Sequence, residues 1–416
     1  MPSAKAGSDV TDADPQSPPL EAVERRGLRA LLAANGISAV GDGAFLAAAP
    51  LAAAAVTRNP TAVAIVAAAE YLPWLLVSPL AGVYVDRWAK RPTMIWADLL
   101  RGLGVAVLAV LVAFHLATIP AIAVCAAAMV TGMVFHSAAA EAVIADLTGR
   151  DEAQLHRVNG RLQATSTTGR QLVGPPAGSW SFALVGWLPF AADAVSFLAS
   201  ATLLVIVPAR PRQKPAQGKL WAAIREGTNY LVRHRELRTL ALLTAAGNVS
   251  VATAMATLVL FATDRHGLGV TTAAYGVLLA AMAVGGVVGG LVAGWVTGRL
   301  GGRVAVIAGL AIEAAAWLLL AFTRNAVVAG LLLCLLWVSF AVLSVVIMGT
   351  RQRQTPPELL GRVISAYRLV GNGMSPLGAL LGGFVATVWG LRAPMVAAGL
   401  ILILAVLIAI RDLRTA

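Results

Sequence analysis

The sequence predicts an all-α integral membrane protein with twelve transmembrane helices in two six-helix, pseudo-symmetric bundles. Three observations predict it: the composition, the long apolar runs and an internal repeat. Of the 416 residues, 58% are hydrophobic and only 12% are charged, whereas about a quarter of the residues are charged in a typical soluble domain. A water-soluble globular fold is therefore excluded.

The apolar runs are each long enough to cross a bilayer, because a hydrocarbon core of about 30 Å requires roughly 20 helical residues. They are continuous rather than alternating, which favours helices over the strands of a closed barrel. The predicted spans are residues 28–56, 61–85, 93–115, 119–145, 158–183, 187–207, 237–262, 271–297, 303–322, 326–349, 360–388 and 391–410.

A charged hairpin follows the second run and recurs in the second half of the chain. Residues 82–91 read GVYVDRWAKR, and residues 294–303 read GWVTGRLGGR. Each copy keeps its first Gly and two Arg residues at the same spacing, whereas Asp86 becomes Gly298 and Lys90 becomes Gly302. Two related six-helix halves with a substrate site between them are a known transporter architecture.

The net charge of +12 is distributed unevenly between the connecting segments. If the N-terminus is cytoplasmic, most Lys and Arg residues lie on the cytoplasmic side, as the positive-inside rule requires. An even number of spans then returns the C-terminus to the cytoplasm. The exceptions lie outside (Arg58, Arg265, Arg324 and Arg392) or within spans (Arg101, Arg170 and Arg368).

Polar segments predict the domain boundaries. They give a disordered cytoplasmic tail (1–26), the N-terminal six-helix bundle (27–207), a cytoplasmic linker with an amphipathic helix (208–236), the C-terminal bundle (237–410) and a short cytoplasmic tail (411–416). The linker helix has five candidate membrane-facing residues, namely Leu220, Trp221, Ile224, Tyr230 and Leu231. A solvated linker that only tethers the two halves is the alternative.

The chain resembles a major facilitator superfamily transporter of the branch that holds bacterial drug, macrolide and siderophore exporters. The resemblance rests on the hairpin at 82–91, its degenerate copy, the Gly41-Asp42 pair and the Gly- and Pro-rich fifth span. It implies a multi-pass, monomeric transporter of the bacterial cytoplasmic (inner) membrane rather than an enzyme. The implied partners are a small molecule, protons and the lipid bilayer, with no nucleic acid, cofactor or metal.

In that family, the hairpin latches the two halves together in the outward-facing state. The resemblance implies that Asp86 accepts hydrogen bonds from the start of the eleventh helix near Gly361-Arg362, and that Arg87 and Arg91 pair with Asp146. The alternative is that these charges only obey the positive-inside rule. The predicted latch comprises Gly82, Asp86, Arg87, Lys90, Arg91, Asp146 and Arg362.

The fifth span resembles the antiporter signature of exporters, carried here by Gly169, Gly174, Pro175 and Gly178. Four residues rather than three separate Gly169 from Gly174, and Ser179 replaces the closing Gly. Small residues allow close helix contact, and Pro175-Pro176 predicts a kink. General packing of small residues in a membrane helix is the alternative explanation.

Ionisable residues at membrane depth usually mark function or a paired neighbour. Asp42, near the middle of the first span, is the principal candidate for proton exchange, unless Arg170 holds it in a static pair. No Arg or Lys occurs in the fourth span, whereas drug/proton antiporters have a basic residue there. The proton-coupling candidates are Asp42, Arg170, Glu70, Glu141, Asp193 and Glu313.

The substrate-cavity candidates are Phe45, Phe135, His136, Asn248, Met255 and Trp337, with a packing role as the alternative for each of them. The expected function is proton-coupled antiport that exports hydrophobic or amphipathic small molecules such as antibiotics. Export of a specific siderophore or metabolite, an uncoupled facilitator or importer, and a membrane sensor are the alternatives. No nucleotide-binding loop is recognisable, so ATP hydrolysis by this chain is not expected.

Overall fold

The computed structural model describes residues 20–148, 152–208 and 220–412. In the first half, the helices are α1 (Leu20–Val56), α2 (Pro60–Leu76), α3 (Ser78–Arg87), α4 (Lys90–Ala113), α5 (Ile119–Leu147), α6 (Glu152–Thr167), a π-helical segment (Thr168–Val173), α7 (Gly174–Leu184) and α8 (Leu188–Leu204). In the second half, they are α9 (Leu220–Arg233), α10 (Arg235–Thr263), α11 (Thr272–Leu300), α12 (Gly302–Phe322), α13 (Ala326–Gln354), α14 (Pro357–Gly373), α15 (Ser375–Trp389) and α16 (Ala393–Asp412).

Helix lies at every predicted apolar run. Among the described residues, nine helices are long and apolar enough to cross a membrane, and α2 and α8 are shorter apolar helices. Three predicted runs are divided into consecutive helices: α2 and α3 join at Val77, α14 and α15 join at Met374, and the fifth run comprises α6, the π-helical segment and α7. The structure is therefore that of an almost entirely helical integral membrane protein.

The start of α1 and the end of α16 lie at one face of the bundle, which we call the terminal face. Gly27, near the start of α1, packs against Pro208 after α8, and Arg235 lies 3.5 Å from Asp412 at the end of α16. The other face is called the opposite face. Side-chain N-caps begin four helices there, with Asn59, Thr118, Thr271 and Asn325 accepting from backbone N–H groups.

Helix α1 begins at Leu20, within the segment predicted to be a disordered tail. Residues 20–26 read LEAVERR, and Leu, Glu, Ala and Arg are good helix formers, so the helix extends beyond its apolar part. The rest of that predicted tail, residues 1–19, and residues 413–416 of the C-terminal tail lie outside the described residues, as do linker residues 209–219.

The linker helix α9 lies against the second half of the chain. Gly227 packs on the backbone of Arg362 at the start of α14. The Tyr230 hydroxyl donates to the carbonyl of Gln354 at 2.9 Å, and Leu231 is buried. The prediction that Tyr230 and Leu231 face the membrane is wrong, because the second half of the chain covers this surface of α9. The side chains of Trp221 and Ile224 lie outside the described residues.

The two halves meet along two helix pairs, α2 with α15 and α7 with α11. Gly276 of α11 packs on the backbone of Pro175, which leaves no room for a side chain. Near the opposite face, the Thr61 hydroxyl lies 2.8 Å from that of Thr387, and Arg58 donates to Thr263 at 3.3 Å. These contacts close the bundle at the opposite face.

Candidate functional site

The π-helical segment sets the geometry of the fifth predicted span. Gly174 donates its N–H to the carbonyl of Gly169, five residues earlier, so one turn accommodates the extra residue between these glycines. Both glycines pack on α1, at Ala39 and Gly43 respectively. The chain stays helical through Pro175 and Pro176, and the wide turn places Arg170 beside α1. Segments of this kind are frequent at functional sites.

Asp42 lies where α1 comes closest to its neighbours. A Cβ at Gly41 would clash with Asp193 of α8, and a Cβ at Gly43 would clash with the backbone of Arg170. The Gly41-Asp42-Gly43 sequence therefore lets two helices approach α1 on either side of a single carboxylate. Asp42 itself is only 5% exposed.

Two guanidinium groups bind the Asp42 carboxylate. Arg170 Nη2 donates to one oxygen at 2.9 Å, and Arg101 Nη2 of α4 donates to the other. Arg101 crosses Gly132 of α5, where any side chain would clash with it, and its guanidinium lies 4.2 Å from the centroid of the Phe197 ring. Arg170 was predicted from the sequence as a proton-coupling residue, whereas no role was predicted for Arg101.

A second carboxylate extends this cluster along α4. Asp98 lies 3.6 Å from Arg101 and accepts a hydrogen bond from Ser200 of α8 at 2.6 Å. His136 Nδ1 of α5 lies 2.9 Å from Asp98, although without the alignment of a hydrogen bond. His136 is 4% exposed and is directed at α4 in this structure, so its role as a cavity-lining residue stays a prediction.

Asp193 is the third carboxylate of the cluster and is fully buried. One oxygen accepts from Ser196 at 3.1 Å, whereas Oδ2 has no hydrogen-bond partner. The sequence analysis identified this residue as a candidate, and the structure places it against Gly41, next to Asp42. We call Asp42, Asp98, Arg101, His136, Arg170 and Asp193 the ionic cluster.

The remaining proton-coupling candidates lie outside the ionic cluster. Glu70 on α2 has a buried carboxylate oxygen without a partner, and Glu141 on α5 is exposed. Glu313 is buried on α12 in the other half of the chain. The structure therefore brings Asp42, Arg170 and Asp193 together and leaves these three glutamates apart. No described group of His, Cys, Asp and Glu residues is arranged to hold a metal ion.

At the hairpin of the predicted latch, the surroundings of Gly82 and the side chain of Asp86 are not among the described parts of the chain. Lys90 Nζ donates to Asp146 at 2.7 Å, so Lys90 is one partner of this aspartate. Arg87 is exposed and Arg91 is half-buried.

At the expected receiving helix, the side chain of Arg362 pairs with Glu226 of α9. Gly361 is exposed, and no heavy atom lies within 4 Å of the position its Cβ would occupy. The space beside Gly361 is therefore open among the described residues, although α9 packs on the next residue, Arg362.

Two cavities receive some of the remaining candidates. A groove of about 810 Å³ between α4 and α5 is lined by Phe135, whose ring stacks on Trp88 at 5.8 Å. A cavity of about 460 Å³ in the second half is lined by Asn372, which accepts from Asn248 at 3.2 Å.

Three cavity candidates occupy packed surroundings instead. Phe45 is fully buried and makes an edge contact with Phe190 of α8, with ring centroids 5.9 Å apart. It lies on the face of α1 that packs inside the first half, and its cavity role stays a prediction. Met255 and Trp337 are half-buried beside the apolar core.

Comparison with known proteins agrees with this architecture. The sequence model described as Major Facilitator Superfamily matches residues 31–375 and 240–415. The chain is 27% identical over 396 residues to the multidrug efflux pump Tap of Mycobacterium bovis (strain BCG / Pasteur 1173P2), with 92% of both chains covered. It is 25% identical over 355 residues to Tap of Mycolicibacterium fortuitum, covering 83% of this chain and 86% of the relative.

Solved structures show the same fold. A bacterial homologue of the iron transporter ferroportin in an inward-facing state superposes with a TM-score of 0.74 at 18% identity, covering 95% of this chain and 99% of that one. A mutant of the nucleoside transporter NupG gives 0.72 at 12% identity, covering 95% and 100%. The chain therefore belongs to the Major Facilitator Superfamily and is a multi-pass membrane transporter rather than an enzyme.

Proposed function

We propose that the protein is a proton-coupled antiporter that exports hydrophobic or amphipathic small molecules, such as antibiotics, by alternating access. The observation that carries this proposal is the buried ionic cluster beside the helices at which the two halves meet. The names of the relatives, multidrug efflux pumps, support the substrate class.

In this proposal the chain is a monomer that spans the membrane twelve times, with residues 27–207 and 237–410 as its two bundles. The terminal face is cytoplasmic, as the distribution of Lys and Arg favours. Since the halves contact each other at the opposite face, the arrangement is closed towards the outside. The two halves rock about their interface to expose the substrate alternately to each side.

Charge balance makes the cluster a proton-binding unit. Three carboxylates face two guanidinium groups and one imidazole, so the cluster has an excess of negative charge until it binds a proton, and uncompensated charge is costly away from water. One proton removes the excess. Because Arg101 and Arg170 already bind both oxygens of Asp42, the unpartnered Oδ2 of Asp193 is the favoured acceptor. Asp42 then serves to hold the two guanidinium groups next to Asp193.

The cluster is connected to the moving interface through Arg170. This residue lies in the π-helical segment, which continues into α7, and both contact α11 of the other half. Rocking of the halves therefore changes the surroundings of Arg170. A shift of this guanidinium towards or away from the carboxylates alters how favourably the cluster binds a proton, which couples proton movement to the transport cycle.

Transport in proteoliposomes tests this proposal. Purified protein is reconstituted, a pH gradient is imposed, and uphill movement of a fluorescent amphipathic drug is measured beside drug exchange without a gradient. Asp193→Asn should abolish uphill transport and preserve exchange, because an amide cannot release a proton. Asp42→Asn should also impair coupling. Glu141→Gln, at an exposed carboxylate on α5, is the matched control and should behave like wild type.

Uphill transport at the wild-type rate in both Asp193→Asn and Asp42→Asn would refute proton coupling through this cluster. An uncoupled facilitator is the second candidate, favoured by the double guanidinium contact that fixes Asp42. It predicts that drug accumulation in a pump-deficient bacterium carrying this protein is the same with and without a protonophore.

A further inference from the structure

The cavity in the second half lies between α10, α12, α13 and α14 and has a volume of about 460 Å³. Its walls are apolar at Leu310, Leu343 and Met348. Three charged side chains also line it, Glu313 from α12, Arg351 from α13 and Arg368 from α14. A cavity with apolar walls and a few converging polar groups has the character of a small-molecule site.

Two of these charged groups have polar atoms without partners. Glu313 is 1% exposed, and its Oε1 has no hydrogen-bond partner. The buried Nε of Arg351 is also unpaired. The Arg351 guanidinium lies 4.8 Å from the centroid of the Tyr367 ring, and the Tyr367 hydroxyl donates to the Leu240 carbonyl at 2.9 Å. The guanidinium is thus held in the cavity wall although its hydrogen bonds are incomplete.

The internal repeat makes the unpaired carboxylate oxygen of Glu313 informative. Glu313 on α12 and Arg101 on α4 occupy equivalent positions of the repeat, because they are as far apart in sequence as the two hairpins. Arg101 has Asp42 and Asp98 as partners within its own half. Glu313 carries the opposite charge to Arg101 and has no such partner among the described residues. Since a buried unpaired polar group is costly, a ligand is the natural source of its missing hydrogen bond.

The charges of the wall decide the chemistry of that ligand. A purely cationic molecule would satisfy Glu313 but meet two unneutralised guanidinium groups in a small cavity. A purely anionic molecule would satisfy Arg351 and Arg368 but leave Glu313 buried without a donor. A molecule with one protonated amine, one carboxylate and an apolar body complements all three groups and the apolar wall.

We propose that this cavity is a binding subsite for zwitterionic amphiphiles, with the ligand amine donating to Glu313 and the ligand carboxylate accepting from Arg351 and Arg368. The inference rests on the proposed export function in that it names a substrate class for it. Arg368 lies at the cavity edge and is exposed, so Arg351 is the principal anion partner.

Equilibrium binding to the full-length protein in lipid nanodiscs, without a pH gradient, tests the subsite. The probe is a fluorescent fluoroquinolone with a free piperazine amine and a free carboxylate. Its methyl ester lacks the anion, and its N-acetyl derivative lacks the cation. Wild type should bind the zwitterion about tenfold or more tightly than either derivative, as expected for the loss of a charge-assisted hydrogen bond.

Two variants assign the two ends of the ligand. Glu313→Gln should reduce zwitterion affinity to that of the N-acetyl derivative, leaving the latter unchanged. Arg351→Gln should reduce zwitterion affinity to that of the ester, leaving the ester unchanged. Arg353→Gln, an exposed arginine two residues away, is the matched control and should bind all three probes as wild type does.

Ester binding as tight as zwitterion binding in wild type would overturn the proposal. Equal weakening of all three probes by Glu313→Gln would also overturn it. Because no gradient is present, Asp193→Asn should bind the zwitterion as wild type does. Loss of uphill transport in that variant therefore tests proton coupling alone, and the binding series tests the subsite alone.

Discussion

The two halves of the chain carry opposite charges at one pair of equivalent positions, Arg101 in the first half and Glu313 in the second. Arg101 is 3% exposed and bound by two aspartates, whereas Glu313 is 1% exposed and lines a cavity. The same helical framework therefore encloses a cluster that contains ion pairs in one half and leaves a carboxylate without an ion pair among the described residues in the other. This difference favours a division of labour, with proton coupling in the first half and ligand recognition in the second.

The largest expected effect is on stability, from Arg101→Gln compared with Glu313→Gln. Removal of Arg101 leaves Asp42 and Asp98 buried with less compensation, and breaking a buried ion pair costs about 3–5 kcal/mol. Glu313→Gln removes no pairing and should change stability by much less. Thermal unfolding in detergent measures both variants. Addition of Asp42→Asn to Arg101→Gln should restore part of the loss; equal destabilisation by the two single variants would contradict the comparison.

The next effect compares helix contact at Gly43 and Gly247. Gly43→Ala on α1 would force a methyl group against the Arg170 backbone, and overpacking of this kind costs about 1–3 kcal/mol. Gly247→Ala on α10 meets nothing within 4 Å, so the higher helix propensity of Ala should stabilise by up to about 1 kcal/mol. The unfolding temperature should fall in Gly43→Ala and rise in Gly247→Ala. A Gly43→Ala variant as stable as wild type would show that α1 can move away from the π-helical segment.

An effect on the conformational equilibrium rather than on stability is expected at the first hairpin, which we propose to latch the outward-facing state. Asp86→Asn should remove a charge-assisted hydrogen bond of about 1.5–3 kcal/mol to the start of α14. A balanced equilibrium would shift about tenfold or more towards the inward-facing state. Distances between spin labels at the terminal face measure this population. An unchanged distance distribution would show that the charge does not hold the latch.

The smallest effect is expected at the second hairpin, from Gly298→Asp. A Cβ at this position meets no heavy atom within 4 Å, so the new side chain starts in open space, but no receiving site for it is proposed near Arg157 at the start of the fifth predicted span. The same label distances and transport rates should change less than in Asp86→Asn. A stronger effect would mean that both hairpins control the gate.

Several features were predictable because they depend on local pattern. Apolar runs gave the helix positions, and the hairpin at 82–91 indicated the superfamily that the family match confirms. Asp42 and Arg170 stood out as ionisable residues in apolar surroundings, and the structure pairs them at 2.9 Å. Arg101 carried the same signal, but its partner on α1 is distant in sequence and could not be identified from spacing.

The packing of the second half shows what the repeat alone does not specify. Gly178 packs on Ala44, and its counterpart by packing is Gly382, which packs on Thr253. Gly383, one residue later, instead contacts Ala64 of the other half. A difference of one residue turns a helical side chain by about 100°, so an alignment by motif alone cannot assign partners.

The sequence by itself determined that this chain is helical, spans a membrane and belongs to a transporter superfamily. Hydrophobic length, positive-residue distribution and a local motif are properties of contiguous residues, which is why they are readable directly. Only the tertiary structure decided that Arg101 joins Asp42, that His136 turns to Asp98 and that Glu313 lines a cavity without a partner. Those outcomes depend on which helix faces meet. In the first half, the glycines at 41, 43 and 132 permit the close approach that brings the ionic cluster together.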